Sequence, residues 1–377
     1  MTDEVFTVKA YDLNTNAFIC ELPANGLRFD RRLNDHGSIS FDVDLKAPGT
    51  AAIANPFLQY AGNPVALYVD RSGILVWGGI SETVAYKKST GLLSVGGKEF
   101  LAYFESRLAL RDYSQKSYPN GVDPAILLGT VLTDTQNPAY GGPGASIGLS
   151  VVSAPSNLPM LTPGYPLSQP TMVGTIVSDL VTTLTPGYGT LDWQLVVAYD
   201  TNGNPTRTAY VRAPRSGRGA GSTGLMFDLS NCVEYSWPID NGPSGNVITV
   251  TGAGNGSARP LATVVAPFAV GGLGQPPRMD YVFSSSAQSQ QQVQQMANGL
   301  SSQCSQPLMT PVVTVPTSGA QPLGSWILGD DARLVTAGDE FFPNGLDQYW
   351  RIVQESVDVP DAGVPTVELT FNLPPTY

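Results

Sequence analysis

The feature that most constrains the fold is a strict alternation of polar and apolar residues over positions 37–45. The apolar set is Ile39, Phe41, Val43 and Leu45, and the polar set is Ser38, Ser40, Asp42 and Asp44. Because successive side chains of a strand point to opposite faces, this pattern predicts a strand with one face buried and the other in water. Shorter segments of similar character, separated by Gly, Asp and Ser turn formers, lie at 4–9, 18–22, 65–69, 75–80 and 91–96. We therefore expect an antiparallel β-barrel domain over residues 1–111.

The frequency of chain-breaking residues extends this interpretation to the whole chain. The sequence has 40 glycines and 31 prolines among 377 residues, which disfavours a helical bundle. A chain of this length also exceeds the usual size of one domain. We expect a mainly β protein with short helices, built from two tandem antiparallel β-barrels with α/β or irregular inserts.

The sequence changes character after the first barrel. Residues 112–185 are rich in Pro, Gly, Asn and Ser and predict an irregular or helical insert. A short helix is expected at 124–128 after Asp123. A second is expected at 172–181, where four apolar residues recur at helical spacing, and Pro186-Gly187 would end it. Those four residues are Val173, Ile176, Val177 and Leu180.

The remaining chain predicts a second barrel that is split by a helix. Its two parts are residues 186–265 and 308–377, with strands expected at 193–197, 208–211, 246–251, 326–328, 332–335, 349–353 and 367–371. The helical insert covers 266–307, and Pro307 would end its helix. The apolar positions that predict this helix, within 284–305, are Val293, Met296, Ala297 and Leu300.

Charge and cysteine content narrow the function classes. The net charge is −11 and no Lys/Arg-rich run occurs, so a surface dedicated to nucleic acid or anionic membrane is not expected. No apolar run approaches the ~20 residues that span a bilayer, and the N-terminus predicts no signal peptide, so maturation in a cytoplasm is expected. Cys20, Cys232 and Cys304 are widely spaced and are expected to be buried free thiols.

Candidate catalytic and ligand-binding residues are few. His36, the single histidine, lies in a turn, so we favour a solvated turn residue over catalysis. The acid pairs Asp330-Asp331 and Asp339-Glu340 could serve a glycosidase, but solvated turn carboxylates are the simpler explanation. The glycine-rich segment 252–256 lacks the third glycine of a dinucleotide-binding loop, so we favour a tight β-turn. We predict no catalytic, cofactor-binding or metal-binding residue, no cofactor and no enzyme activity.

The five tryptophans raise a different alternative. Trp77, Trp193 and Trp326 lie within apolar runs, where packing in a core is the favoured role. Trp237 and Trp350 complete the set. If tryptophans were exposed, they would instead form a platform for sugar stacking.

Several motifs together resemble the hub proteins of bacteriophage tails. Residues 75–80 (LVWGGI), 92–101 (LLSVGGKEFL) and 103–107 (YFESR) resemble the first barrel of that family. In the C-terminal half, residues 227–231, 246–252, 328–330 and 349–353, with the helix near 286–300, resemble the family in order and spacing. The resemblance covers nearly the whole chain, although each motif alone is degenerate.

The resemblance implies a structural role in a virion. In that family two barrels related to the tail-tube protein lie in tandem, so three subunits form a ring that joins a sixfold tube to a threefold tip. It implies a homotrimer at the tail tip, assembled in the host cytoplasm, with a lumen through which DNA passes without specific binding. Partners would be the distal tail or tube protein, the tape measure protein, and tip or receptor-binding proteins. The alternative is a baseplate module that binds a carbohydrate or receptor on the host surface.

Overall fold

The computed structural model describes residues 4–50, 57, 64–156, 158, 160–183, 191–240, 245–265, 280–284, 290–304 and 308–373. Thirteen strands form one large sheet that draws on both halves of the chain. They are β1 (Phe6–Asp12), β2 (Phe18–Leu22), β3 (Asn25–Arg32), β4 (Ser38–Asp44), β5 (Val65–Arg71), β6 (Ile74–Lys87), β7 (Leu92–Glu99), β13 (Met226–Asp228), β14 (Glu234–Ser236), β20 (Val312–Pro316), β21 (Asp331–Thr336), β22 (Leu346–Val359) and β23 (Thr366–Asn372).

The order of strands shows how the two halves join. Eleven strands follow one path, β14-β20-β23-β22-β3-β4-β7-β6-β5-β1-β2, and β21 pairs with β22 beside it. Neighbours on this path are antiparallel, whereas β13 pairs with β21 in parallel. The connection between the halves is the pairing of β3 with β22, which runs from Leu27↔Val359 to Arg32↔Gln354. The predicted mainly β fold with few short helices is confirmed.

One hydrophobic core underlies both halves of this sheet. It contains Trp77 and Val95 from the N-terminal half together with Trp350, Val313 and Phe371 from the C-terminal half, all within 2% of full burial. The alternation in β4 has the predicted effect, because Ile39, Phe41 and Val43 are buried in the same core. The strands of the first predicted barrel and the C-terminal strands of the second, β20 to β23, thus share one sheet and one core.

A second unit packs on the other face of the N-terminal strands. It comprises helices α1 (Pro124–Gln136), α2 (Pro138–Gly141) and α3 (Val173–Thr183), the 3₁₀ helix η1 (Phe100–Ser106), and strands β8 (Tyr113–Ser114), β9 (Ser150–Ser153), β10 (Gly164–Tyr165), β11 (Asp192–Tyr199) and β12 (Pro205–Arg212). Its core continues to Tyr11 and Tyr68 of the large sheet. Because β5 is therefore covered on both faces, six of its seven residues are buried.

The two helices predicted in this unit are confirmed. The Asp123 carboxylate accepts hydrogen bonds from Ala125 N at 2.9 Å and Ile126 N at 3.2 Å, as a helix N-cap does. The α1 helix extends beyond the predicted residues 124–128. The prediction was too short because this helix is buried on most sides, so its sequence lacks the amphipathic pattern that would mark its full length. Pro186-Gly187, the predicted end of α3, lies outside the described residues.

A third, small unit is inserted between two short paired strands. The stem consists of β15 (Ile239–Asp240) and β19 (Leu308–Met309), and the unit contains β16 (Val247–Thr251), the 3₁₀ helix η2 (Gly256–Ala258), β17 (Leu261–Val265), β18 (Asp280–Ser284) and α4 (Gln290–Cys304). Its core is Ile248, Val250, Ala262, Val293 and Ala297. The predicted helix within 284–305 is confirmed as α4, while Pro307 lies outside the described residues.

Three expectations about the second barrel are corrected. Strands β16 and β17, at 246–265, pair with each other and with β18 rather than with the large sheet, and β11 and β12 pair with β9. Alternation predicts a strand but carries no information about its partner. Residues 326–328 form no strand; Trp326 and Leu328 are buried from a turn segment.

Candidate functional site

The junction between β3 and β22 carries buried charges where an apolar core would be expected. Arg31 follows Leu27 and Phe29 on the inward face of β3. Its Nη1 donates to Glu355 Oε1 at 3.0 Å, and its Nε lies 3.9 Å from Glu99 Oε1. One guanidinium therefore stands between carboxylates from β7 and β22, and it ties the two halves of the sheet together.

The two carboxylates beside Arg31 have different hydrogen-bond partners. Burial raises the pKa of Glu99 to about 8 against the partial compensation of Arg31, while Gly37 N donates to Glu99 Oε2 at 2.6 Å. Glu355 Oε2 instead accepts from Trp326 Nε1 at 2.8 Å. Near neutral pH Glu99 is therefore mainly protonated and adds little to the negative charge around Arg31.

A second buried ion pair joins β22 to the helical unit. Arg351 on β22 pairs with Asp192 at the start of β11, and their side chains are 7% and 1% exposed. Asn34 Nδ2 donates to Asp192 Oδ1 at 2.9 Å, and Asn34 Oδ1 accepts from Trp193 N at 2.9 Å. These contacts join three parts of the chain that are far apart in sequence. Asn34 and Asp192 are separated by 158 residues, and Asp192 and Arg351 by 159.

Asp330 and Asp331 are not the solvated turn carboxylates that the sequence predicted. They are 0% and 2% exposed, and each is bound by an arginine from residues 215–218. Arg218 pairs with Asp330 and Arg215 with Asp331, which keeps both carboxylates compensated. The prediction was wrong because these partners lie over a hundred residues away in sequence.

The other acid pair is not buried in this way. The Tyr235 hydroxyl donates to Asp339, which lowers the pKa of that carboxyl, and the backbone amides of Phe341 and Phe342 also donate to it. Glu340 is exposed. The pair thus shapes a turn beside β21.

His36 is also less solvated than predicted. Its side chain is 18% exposed, and its Nε2 lies 3.0 Å from Glu105 Oε2 on η1. Asp35 lies on its other side, with Oδ1 3.6 Å from His36 Nδ1. The turn prediction for this residue was right, but the sequence gave no sign of Glu105, which is 69 positions later.

The remaining predicted residues occupy structural positions. Residues 252–256 begin the connection between β16 and β17, which runs over 252–260, contains η2 and is closed by Gly252 N donating to Pro260 O at 2.8 Å, so it is longer than the predicted tight β-turn. Cys20 and Cys232 are free but half-buried rather than buried, and the side chain of Cys304 lies outside the described residues. In the described chain, no helix is both long and apolar enough to cross a membrane.

The tryptophans do not form a platform for sugar stacking. Trp77, Trp193 and Trp326 are at most 5% exposed, so their predicted packing in cores is confirmed, and Trp350, for which no role was predicted, is 1% exposed. Trp237 is half-buried, and its ring packs edge-on against Phe342 and Trp350 with centroid distances of 4.9 and 5.1 Å.

No protein-family model matches this sequence, and no curated protein sequence matches it. Solved structures do match over the whole chain. The 43 kDa tail protein of prophage MuSo2 from Shewanella oneidensis is similar at TM-score 0.59 and 13% identity, covering 99% of this chain and 97% of that one. A tail protein from Neisseria meningitidis matches at TM-score 0.58 and 12% identity, covering 97% and 96%.

A third structure gives the same result. The prophage tail protein gp18 from Listeria monocytogenes matches at TM-score 0.52 and 14% identity, covering 97% of this chain and 94% of that chain. Likeness at such low identity establishes the fold. This chain has the fold of these phage tail proteins, in line with the resemblance found in the sequence.

Proposed function

We propose that this protein is a structural hub subunit of a phage tail tip. In this role three copies form a ring that joins the sixfold tail tube to the threefold tip and leaves a channel for DNA. The observation that carries the proposal is the match of nearly the full chain to tail proteins, with no large part of either chain left over. A non-enzymatic role accords with the site residues, since the buried carboxylates at Glu355, Asp192, Asp330 and Asp331 are each engaged by an arginine.

The open path of the large sheet supports assembly through its edges. Among the described strands, β2 pairs only with β1, and β14 pairs only with β20, so each end of the path has unpaired backbone groups. Phe18 on β2 is 57% exposed and Val233 next to β14 is 61% exposed. A neighbouring subunit or tube protein that covered these edges would remove both the apolar exposure and the unpaired backbone.

The charge of the chain accords with passage of DNA. Three copies of a chain with net charge −11 carry −33. Proteins bind DNA largely by neutralising phosphates with Lys and Arg, so an acidic or neutral lumen would let DNA slide without being held. Virion partners would be the tube or distal tail protein, the tape measure protein and tip proteins.

Electron cryomicroscopy of the purified protein, alone and with a tail-tube protein, tests this proposal. We expect a threefold ring with an open centre whose lining is acidic or neutral. A channel lined by Lys and Arg would contradict the lumen, and a closed assembly without a channel would contradict DNA passage. Host-surface binding is not favoured by any described tryptophan, because none is fully exposed.

A further inference from the structure

Three metal-ligating side chains meet at the edge of an open cavity of about 480 Å³ between the large sheet and the helical unit. Asp35 and His36 come from the turn between β3 and β4, and Glu105 comes from η1. One ligand atom of each lies within 4.8 Å of the other two. None of them takes part in the buried ion pairs that join the halves of the sheet.

The backbone that carries these residues is held firmly. Glu99 N donates to Gly37 O at 2.9 Å, and Leu33 N donates to Val353 O at 2.8 Å, so the turn is fixed at both ends. On the other side α3 approaches η1 closely, because a Cβ added at Gly174 would lie 3.1 Å from the Glu105 Cα. The carboxylates themselves are 52% and 51% exposed and are free to adjust their rotamers.

Polar atoms in this place lack partners. Both ring nitrogens of His36 are buried, and neither has a hydrogen-bond partner among the described residues, because Glu105 Oε2 is near Nε2 but not aligned with it. Trp193, which is 5% exposed and lines the same cavity, has a buried Nε1 that likewise has no acceptor in the described chain. Buried polar atoms without hydrogen-bond partners are unfavourable, which points to a bound group at this place.

We propose that Asp35, His36 and Glu105 bind a divalent transition-metal ion of the Zn²⁺ type. One imidazole nitrogen and two carboxylate oxygens are ligands that Zn²⁺ accepts, whereas Ca²⁺ and Mg²⁺ prefer oxygen alone. Ligand atoms of a tetrahedral zinc site lie roughly 3.3 Å apart, given bonds of about 2.0–2.1 Å. The 3.0 Å between His36 Nε2 and Glu105 Oε2 is close to that separation, whereas Asp35 Oδ1 lies 3.6 Å from the other ring nitrogen, Nδ1. The exposed Asp35 side chain therefore has to turn toward Nε2 to complete the site.

The ion would link two parts of the molecule. Its charge would offset the two carboxylates, and it would tie the β3–β4 turn to η1. The three protein ligands leave one position of a tetrahedral ion for water. The simpler alternative is an ion pair of His36 with Glu105, in which no metal is involved.

The single histidine makes a direct test possible, because an imidazole signal in tag-free protein belongs to His36 alone. We would label histidine with ¹⁵N and titrate ZnCl₂ into chelator-treated protein while recording imidazole resonances by NMR. Binding at cysteine thiols would not move these resonances. We expect them to shift and to saturate at one equivalent of Zn²⁺.

Two variants keep the side-chain shape and remove one charge each, Asp35→Asn and Glu105→Gln. Removal of outer-shell partners alone weakens metal sites by about 10- to 100-fold, so each variant should bind Zn²⁺ at least about tenfold more weakly. Glu82→Gln is the matched control, since the Glu82 side chain is similarly exposed at 45% and distant in sequence from the turn. Amide spectra establish whether each variant is folded. If Glu105→Gln does not fold, the test rests on Asp35→Asn, which lies in an exposed turn.

The outcomes separate the two explanations. Weak binding in both site variants with unchanged binding in the control supports the metal site. Unmoved His36 resonances in the unaltered protein at about ten equivalents of Zn²⁺ would overturn it. Equal shifts in all four proteins would also overturn it, because they would mean binding to the imidazole alone.

Discussion

The large sheet and the small inserted unit are stabilised in different ways. The core of the large sheet contains Trp77, Trp350 and Phe371 and draws on strands from both ends of the chain. The small unit buries five apolar side chains between one face of β16–β18 and α4. Leu261, Val265 and Val282, which are 53%, 68% and 64% exposed, lie on its outer strands.

Charged residues sharpen this difference. The large sheet contains buried pairs such as Arg31–Glu355 and Arg351–Asp192, whereas Arg259 in the small unit donates to Gly252 O and Thr251 Oγ1. A buried charge destabilises the fold when its partner is missing, so we expect the large sheet to tolerate few substitutions at these positions. The small unit, carried on the stem of β15 and β19, is the part that can change without loss of the scaffold.

The largest expected effect is loss of core volume in the large sheet. Phe371→Ala removes a fully buried ring that packs against Phe227 at a centroid distance of 6.0 Å. It should lower the free energy of unfolding by about 3–5 kcal/mol. Urea denaturation followed by tryptophan fluorescence measures this, since no tryptophan lies between residues 241 and 307. Phe341→Ala, at a ring that is 55% exposed, is the control and should change it by only about 0.5 kcal/mol.

Breaking a buried ion pair should cost nearly as much. Arg351→Met leaves Asp192 buried without its cation and should destabilise the protein by about 3–5 kcal/mol. Arg333→Met is the exposed counterpart, because Arg333 and Asp347 are 41% and 56% exposed, and it should change the free energy of unfolding far less than Arg351→Met. Equal losses in the two variants, measured by urea denaturation, would refute the role assigned to the buried network.

The pH dependence of stability tests the protonation of Glu99. Its pKa of about 8 in the folded protein lies above the ordinary value of 4.5, so folding takes up a proton between these values. The stabilising contribution is present at low pH and is lost as pH rises through this window. Between about pH 5.5 and 7.5 the loss should be on the order of 2–3 kcal/mol relative to Glu99→Gln, which cannot ionise.

The comparison of the two variants isolates this group, since other titrating residues contribute equally to both. Urea denaturation of the unaltered protein and Glu99→Gln at several pH values gives the difference. A difference that stays constant across the window would show that Glu99 is ionised in the folded protein.

Excision of the small unit should have the smallest effect on the large sheet. Asp240 and Leu308 are paired in the stem, so a short Gly-Ser linker can replace residues 241–307. Because shortening a loop changes closure entropy only slightly, the free energy of unfolding measured by tryptophan fluorescence should change by about 1 kcal/mol or less. Loss of the cooperative unfolding transition would mean that the large sheet depends on the small unit for its stability.

The sequence predicted local structure better than partners. Alternation in β4 and helical spacing in α3 and α4 depend on neighbouring residues, and those elements are confirmed. The grouping of β16 and β17 with a second barrel was wrong, because pairing depends on contacts that no local pattern encodes. The small unit contains three strands in addition to the predicted helix, and none of these strands pairs with the large sheet.

Buried charges were missed for the same reason. Asp330 was taken for a turn residue because Arg218 is far away in sequence. Arg31 did give a signal, since it continues the inward face of Leu27 and Phe29, and a charge on that face indicates a buried partner. Glu355, on the same face of β22 as Val357, gave a matching signal. Neither position indicates which carboxylate meets which arginine.

The mass of the purified protein in solution, measured by light scattering over a range of concentrations, tests the proposed hub most directly. We predict a particle of three times 39.8 kDa, with a central opening visible in negative stain. A protein that stays at 39.8 kDa up to about 100 µM, where even weak specific contacts are occupied, would contradict the self-assembling ring.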